Sequence, residues 1–143
     1  IQTLDDEFHP QCTEKNLRWK IDVPEIRVMT DPNLLLRLCR NLLNNAVRYT
    51  DEGTISCLGV VQADLLEISI IDTGRGIRKE DQVQVFEQFV RMQEEIRDGA
   101  GLGLSIVKHI VEAMGYDLKM DSEPGRGTTF RFSVPVLSTQ EIM

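Results

Sequence analysis

An amphipathic helix that leads straight into two β-branched strands restricts the fold of this chain more than any other feature. Asp31 is an N-cap acceptor, and Pro32 suits the first helical position, where no amide donor is needed. Leu35, Leu38, Cys39, Leu42, Leu43 and Ala46 then recur at helical spacing until Asp51-Glu52-Gly53 stops the element. Thr54–Val61 and Leu65–Ile71 follow as apolar, β-branched runs joined by Gln62-Ala63-Asp64, which predicts a hairpin. A helix with one apolar stripe beside a hairpin with one apolar face must bury the two against each other.

The remaining elements extend that layering. Residues 4–15 read as a polar helix. Leu17, Trp19, Ile21 and Val23 alternate with polar residues as in a half-buried strand. Pro24 interrupts the run, and Ile26–Met29 reads as a short partner strand. Lys79–Val85 suggests a short helix, and Leu104, Val107, Ile110, Val111 and Met114 a second strongly amphipathic one. Leu118 and Met120 mark a short strand, and Phe130, Phe132 and Val134 a last one after Pro124-Gly125. The expected fold is α+β, a two-layer sandwich with a mostly antiparallel sheet covered on one face by helices.

The length of 143 residues and 41% hydrophobic content suit one packed domain over residues 1–143, within the roughly 100–200 residues usual for a domain. No internal repeat or linker divides it, and the missing initiator Met suggests a piece of a longer protein. Cys12, Cys39 and Cys57 are scattered and odd in number, which argues against a disulfide scaffold or zinc knuckle and suits a reducing cytosol. No stretch approaches the ~18 consecutive apolar residues of a spanning helix, so no direct membrane insertion is expected. The net charge of -7 is uneven: zero over residues 1–50, -6 over 51–100 and -1 over 101–143. A surface that negative disfavours nucleic acid and anionic membrane as partners.

Five segments can carry chemistry. On the long helix Asn41, Asn45 and Arg48 fall at i, i+4 and i+7 and share a face, with Asn44 beside them. An Asn carbonyl is a hard oxygen ligand suited to Mg²⁺, although a polar helix end near its C-cap reads the same way. In Ile70-Ile71-Asp72-Thr73-Gly74-Arg75-Gly76-Ile77 a carboxylate ends an apolar strand, where burial is costly unless donors meet it. Gly74 and Gly76 let the backbone turn and approach a ligand, and the carboxylate could accept an adenine amine; an Asp-containing turn is the alternative.

Gly99-Ala100-Gly101-Leu102-Gly103-Leu104-Ser105 runs into a helix, and free backbone N–H groups there suit a phosphate, or form a plain hinge. It is not GxGxxG, no Gly-Lys pair exists, and so neither a dinucleotide fold nor a P-loop fits. Phe86 and Phe89 read as core anchors, whereas Arg91 heads the polar stretch Met92–Asp98, which resembles a lid. Gly125-Arg126-Gly127-Thr128 could be an ordinary turn, or could hold a hydroxyl near a ligand.

Taken in order, Asn41-Leu-Leu-Asn-Asn45-Ala, Asp72-Thr-Gly-Arg-Gly76, Phe86-Glu-Gln-Phe89, Gly99-Ala-Gly-Leu-Gly103 and Gly125-Arg-Gly127-Thr128 resemble five boxes of one family. They are similar to the N, G1, F, G2 and G3 boxes of the catalytic ATP-binding domain of bacterial sensor histidine kinases, within the superfamily of gyrase, Hsp90 and MutL. The resemblance spans about Leu4 to Val136. It implies the Bergerat ATP-binding fold, ATP and Mg²⁺ as cofactors, and Asn45 as the Mg²⁺ ligand with Asn41 in support. It further implies Arg48 at the phosphates, Tyr49 against the nucleoside, and Asp72 accepting the adenine amine beside Gly74, Gly76 and Ile77. Arg91 would approach the γ-phosphate and act with Asn45 in catalysis. Gly99, Gly101, Leu102, Gly103 and Leu104 would supply backbone contacts, and Thr128 would stand near the adenine.

Such a domain passes the γ-phosphate to a histidine on the dimerisation domain of its own kinase, and through it to a response regulator. The resemblance implies a cytoplasmic, monomeric domain whose parent can be anchored in the inner membrane. Two departures stand out: Gly115-Tyr116 replaces the family's Gly-Gly, and neither His9, followed by Pro10, nor His109 has the context of a phosphoacceptor. Two other readings compete: a docking or nucleotide-sensing domain without catalysis, and a water-using ATPase of the gyrase or Hsp90 kind. The latter places a Glu where this chain has Asn41, which cannot act as a general base.

Overall fold

The computed structural model describes residues 2–74, 76, 107 and 109–137. Its named elements are α1 (Gln2–Glu14), β1 (Arg18–Asp22), α2 (Pro32–Tyr49), β2 (Thr54–Gln62), β3 (Leu65–Asp72), β4 (Lys119–Glu123) and β5 (Gly127–Pro135). Residues 109–114 are also helical. The predicted helix over 79–85 lies outside the described residues.

Local chemistry sets the element ends. The Asp31 carboxylate accepts from the amides of Asn33 at 2.9 Å and Leu34 at 3.2 Å, which caps the orphan donors of α2. At its far end, Lys15 Nζ donates to the Val47 carbonyl at 2.6 Å. Asn16 takes a left-handed conformation with φ 60, and the Leu17 amide returns to Cys12 O, so α1 ends sharply before β1. The β2–β3 hairpin turns through Ala63, whose φ is 55.

The five strands lie in the order β1-β2-β3-β5-β4. Among the described strands only β1 and β2 pair in parallel, with α2 in the crossover between them, and the other pairs are antiparallel. Sheet and helices therefore form the expected α+β arrangement. Ile26–Met29 departs from it. That segment makes one bridge, Val28 to Val136, with Met29 N donating to Pro135 O and Leu137 N to Arg27 O. Pro24 lacks the donor that would extend β1, and the chain crosses to the end of β5 instead.

The strand registers place residues in rows across all five strands. One row runs Ile21, Cys57, Ile70, Phe130, Met120, and the next runs Trp19, Ile55, Asp72, Thr128, Ser122. The first row packs with Leu38, Cys39, Leu42 and Leu43 of α2 and Phe8 of α1 in one core. Burying each such leucine fully is worth roughly 1.5–3 kcal/mol. Arg40 of α2 pairs with Glu7 of α1 at 2.9 Å and holds the helices together at the rim. The three cysteines are free and buried, and desolvation pushes the Cys57 thiol up to about 11, so it stays neutral.

Candidate functional site

The second row turns polar where the first is apolar, and the change is built by β3. Alternation along Leu65–Asp72 buries Leu66, Ile68, Ile70 and then Asp72, because every second residue faces the helices. Asp72 is 8% exposed. Burial pushes its carboxyl above the ordinary carboxylate range, opposed by donation from the backbone amides of Gly74 and Thr128 and by the nearby Thr50 hydroxyl. The Gly74 amide donates to Asp72 Oδ1 at 2.9 Å.

Gly74 is required by its surroundings. A Cβ there would stand 2.3 Å from Tyr49 O, 2.8 Å from Thr50 Oγ1 and 3.0 Å from Asp72 Oδ1. The end of α2 and the end of β3 thus converge on one bare Cα. Thr50 caps α2 in an extended conformation and is fully buried. Its hydroxyl lies near the carboxylate without completing a regular hydrogen bond, and no other described residue partners it. A buried hydroxyl beside a buried carboxylate has lone pairs to spare for a further polar group.

The other wall comes from β4 and β5. Gly127 has φ +116, and a Cβ on it would stand 2.0 Å from Asp72 O. Gly76 has φ +72, and a Cβ on it would stand 2.0 Å from Glu123 O. Thr128 is Asp72's register partner, and its hydroxyl meets Ser122 Oγ at 2.8 Å.

The structure therefore brings Asp72, Gly74, Gly76 and Thr128 together, with the Tyr49 carbonyl beside them. On α2, Asn45 is buried at 8% exposure. Asn41 is half-buried and turned back on its helix, its Nδ2 donating to Arg37 O at 2.7 Å. Arg48 is exposed in the last turn. Ile77, Arg91, Gly99, Gly101, Leu102, Gly103 and Leu104 lie outside the described residues. His9 and His109 are both solvent-facing. Gly115 takes φ +70 at the end of the helical residues 109–114, and Tyr116 then hydrogen-bonds Thr30. The departure at Gly115-Tyr116 thus shapes a turn on the described part of the chain.

Sequence reading missed Thr50 and Ser122. Thr50 lies just before the Asp51-Glu52-Gly53 stop and carries no local signal of its own, and Ser122 sits in a short polar strand whose partners depend on register. The one available signal for Ser122 was its pairing distance from Thr128 across the Pro124-Gly125 turn.

A family model described as "Histidine kinase-, DNA gyrase B-, and HSP90-like ATPase" matches residues 30–138. The chain belongs to that family. Among family relatives, the adaptive-response sensory kinase SasA of Crocosphaera subtropica is 35% identical over 136 residues, covering 92% of this chain and 36% of SasA. The sensor-like histidine kinase SenX3 of Mycolicibacterium smegmatis is 39% identical over 113 residues, covering 76% of this chain and 29% of SenX3. The chain thus spans about a third of these relatives. Among solved structures, full-length ShkA in complex with AMPPNP superposes with a TM-score of 0.80 at 28% identity, over 96% of this chain and 29% of ShkA. The nucleotide-free catalytic domain of histidine kinase ThkA reaches 0.79 over 94% of this chain and 88% of that domain, and at 23% identity it attests the family's fold.

Proposed function

We propose that this domain binds Mg-ATP and presents its γ-phosphate to a histidine on a separate dimerisation domain in two-component signalling. The observation that carries the reading is Asp72: a charge-bearing group buried at a strand end, with glycine on both sides where any Cβ would collide. Donation from the Gly74 and Thr128 amides offsets only part of the cost of that burial, and its net effect still raises the carboxyl's pKa. An adenine amine donating to the carboxylate would offset more of it. Family membership and the likeness to the AMPPNP complex of ShkA support the same ligand.

In this reading Tyr49 lies against the nucleoside, Gly76 and Ile77 line the base pocket, and Thr128 stands near the adenine. Asn45 offers a buried amide oxygen, with Asn41 in support, which suits the hard-ligand chemistry of Mg²⁺. When bound, the metal would neutralise phosphate charge and leave the γ-phosphoryl open to attack. Arg48 and Arg91 reach for the phosphates, and the amides of Gly99, Gly101, Leu102, Gly103 and Leu104 receive them. Asn41 holds no proton acceptor of useful basicity, so water attack is unassisted and isolated hydrolysis is negligible.

The phosphoacceptor histidine belongs to a dimerisation domain of the same kinase, and a response regulator takes the phosphoryl group from it. The whole chain serves as a single catalytic domain, monomeric when isolated, on the cytoplasmic side of a parent free to be membrane-anchored. Among the described residues no helix is long and apolar enough to cross a membrane. Calorimetry with Mg-ATP tests the binding step: the parent should bind, and Asp72→Asn should weaken affinity roughly 10–100-fold, the range for losing a hydrogen bond to a charged group. An Asp72→Asn protein that binds as well as the parent would sink the assignment. Mixing the domain with a histidine-bearing dimerisation domain and Mg-ATP should yield acid-labile phosphate.

A further inference from the structure

Ser122 has no part in the functional reading so far, yet it is among the most buried polar side chains described, at 5% exposure. We infer that Ser122 is a positioning residue that sets nucleobase selectivity by fixing the direction of the Thr128 hydroxyl. This rests on the nucleotide-binding reading above. Ser122 Oγ donates to the Gly127 carbonyl at 3.1 Å and lies 2.8 Å from Thr128 Oγ1. A hydroxyl carries one proton and two acceptor lone pairs. With the Ser122 proton committed to Gly127, the bond between the two hydroxyls requires Thr128 to be the donor. Thr128, itself 7% exposed, then has only lone pairs left to offer a ligand.

The consequence follows from the row. Asp72 and Thr128 are register partners on the inner face, and an ionised carboxylate is likewise acceptor-only. Two acceptors side by side suit an exocyclic amine, which has two N–H donors. A keto oxygen in the same place, as guanine carries, would face lone pairs from both and stay unsatisfied. Leaving a buried polar group unpaired is worth about 10–100-fold in affinity. Without Ser122 the Thr128 hydroxyl is free to rotate and donate to such an oxygen.

The test is calorimetry with Mg-ATP and Mg-GTP on the parent, Ser122→Ala, and Ser122→Cys, which donates only weakly. The parent should favour ATP, Ser122→Ala should narrow the ATP-to-GTP ratio about tenfold, mostly by gain of GTP, and Ser122→Cys should narrow it less. In a Thr128→Val background, Ser122→Ala should leave the ratio unchanged. A ratio unmoved by both serine variants, or parallel weakening of both nucleotides, overturns the inference while leaving ATP binding intact. A parent that binds neither nucleotide overturns the functional reading itself, and the inference with it.

Discussion

The two ends of the central hairpin invert the usual rule of burial. Where β2 turns into β3, apolar side chains lie open to water: Val60 is 54% exposed, Val61 40% and Leu65 42%. At the other end of the same strand, Asp72 is 8% exposed, with Thr128 at 7% beside it and Thr50 fully buried. Scattered exposed apolar residues are common on soluble proteins and carry no special meaning. Buried polar groups are costly, so the second end carries the information. The contrast teaches where a bound partner would offset the cost of burial: at the polar end, as the proposed nucleotide reading requires, and not at the open one.

The sharpest way to break the contrast is to fill the space at the polar end. Gly74→Ala should destabilise the domain by about 1–3 kcal/mol, because its Cβ would meet the Tyr49 carbonyl at 2.3 Å and neither backbone can retreat cheaply. Urea unfolding followed by circular dichroism measures this. A loss near zero would show that the convergence of α2 and β3 is loose, and that the pocket's shape is less constrained than the close approach implies.

A smaller and more diagnostic effect concerns the charge. The Asp72 carboxyl is held above its ordinary range, chiefly by burial, so its contribution to stability is fully present below the unfolded-state pKa of about 4 and is lost as pH rises through the folded one. At neutral pH Asp72→Asn should therefore raise the Tm of the nucleotide-free domain even as it weakens ATP binding. The gain should shrink as pH falls toward 4. A Tm advantage that grows in acid would contradict the sign of the shift and remove the argument that Asp72 is kept for a ligand.

How much of this was legible in the chain differs by element. The α2 helix was readable from Asp31-Pro32 and six apolar residues at helical spacing, because cap and stripe are local properties. The hairpin was readable for the same reason. The strand order was not, since β5 inserts between β3 and β4 through contacts that span more than fifty residues. Ile26–Met29 looked like a strand by composition and became a single bridge, because its partner was the distant Val136 and not a neighbour. Within the site, Asp72 declared itself as a carboxylate closing an apolar run. Thr50 and Ser122 did not, since each acquires its role only when another element is brought beside it.

The smallest expected effect completes the contrast from the apolar end. Leu65 opens β3 opposite Pro135, directly after the Ala63-Asp64 turn, and is 42% exposed. Its backbone partners are set by the hairpin, and its side chain lies on the face away from the helices, since Leu66 is the neighbour that enters the core. Leu65→Gln keeps the length of the side chain and removes only a partly buried apolar contact. Stability should move by no more than about 0.5 kcal/mol, as for other surface positions away from caps and cores. ATP affinity should not move at all. A loss comparable to that of Gly74→Ala would mean that the open end of the hairpin is as tightly specified as the polar one, and the inversion would then reflect the fold and not a ligand.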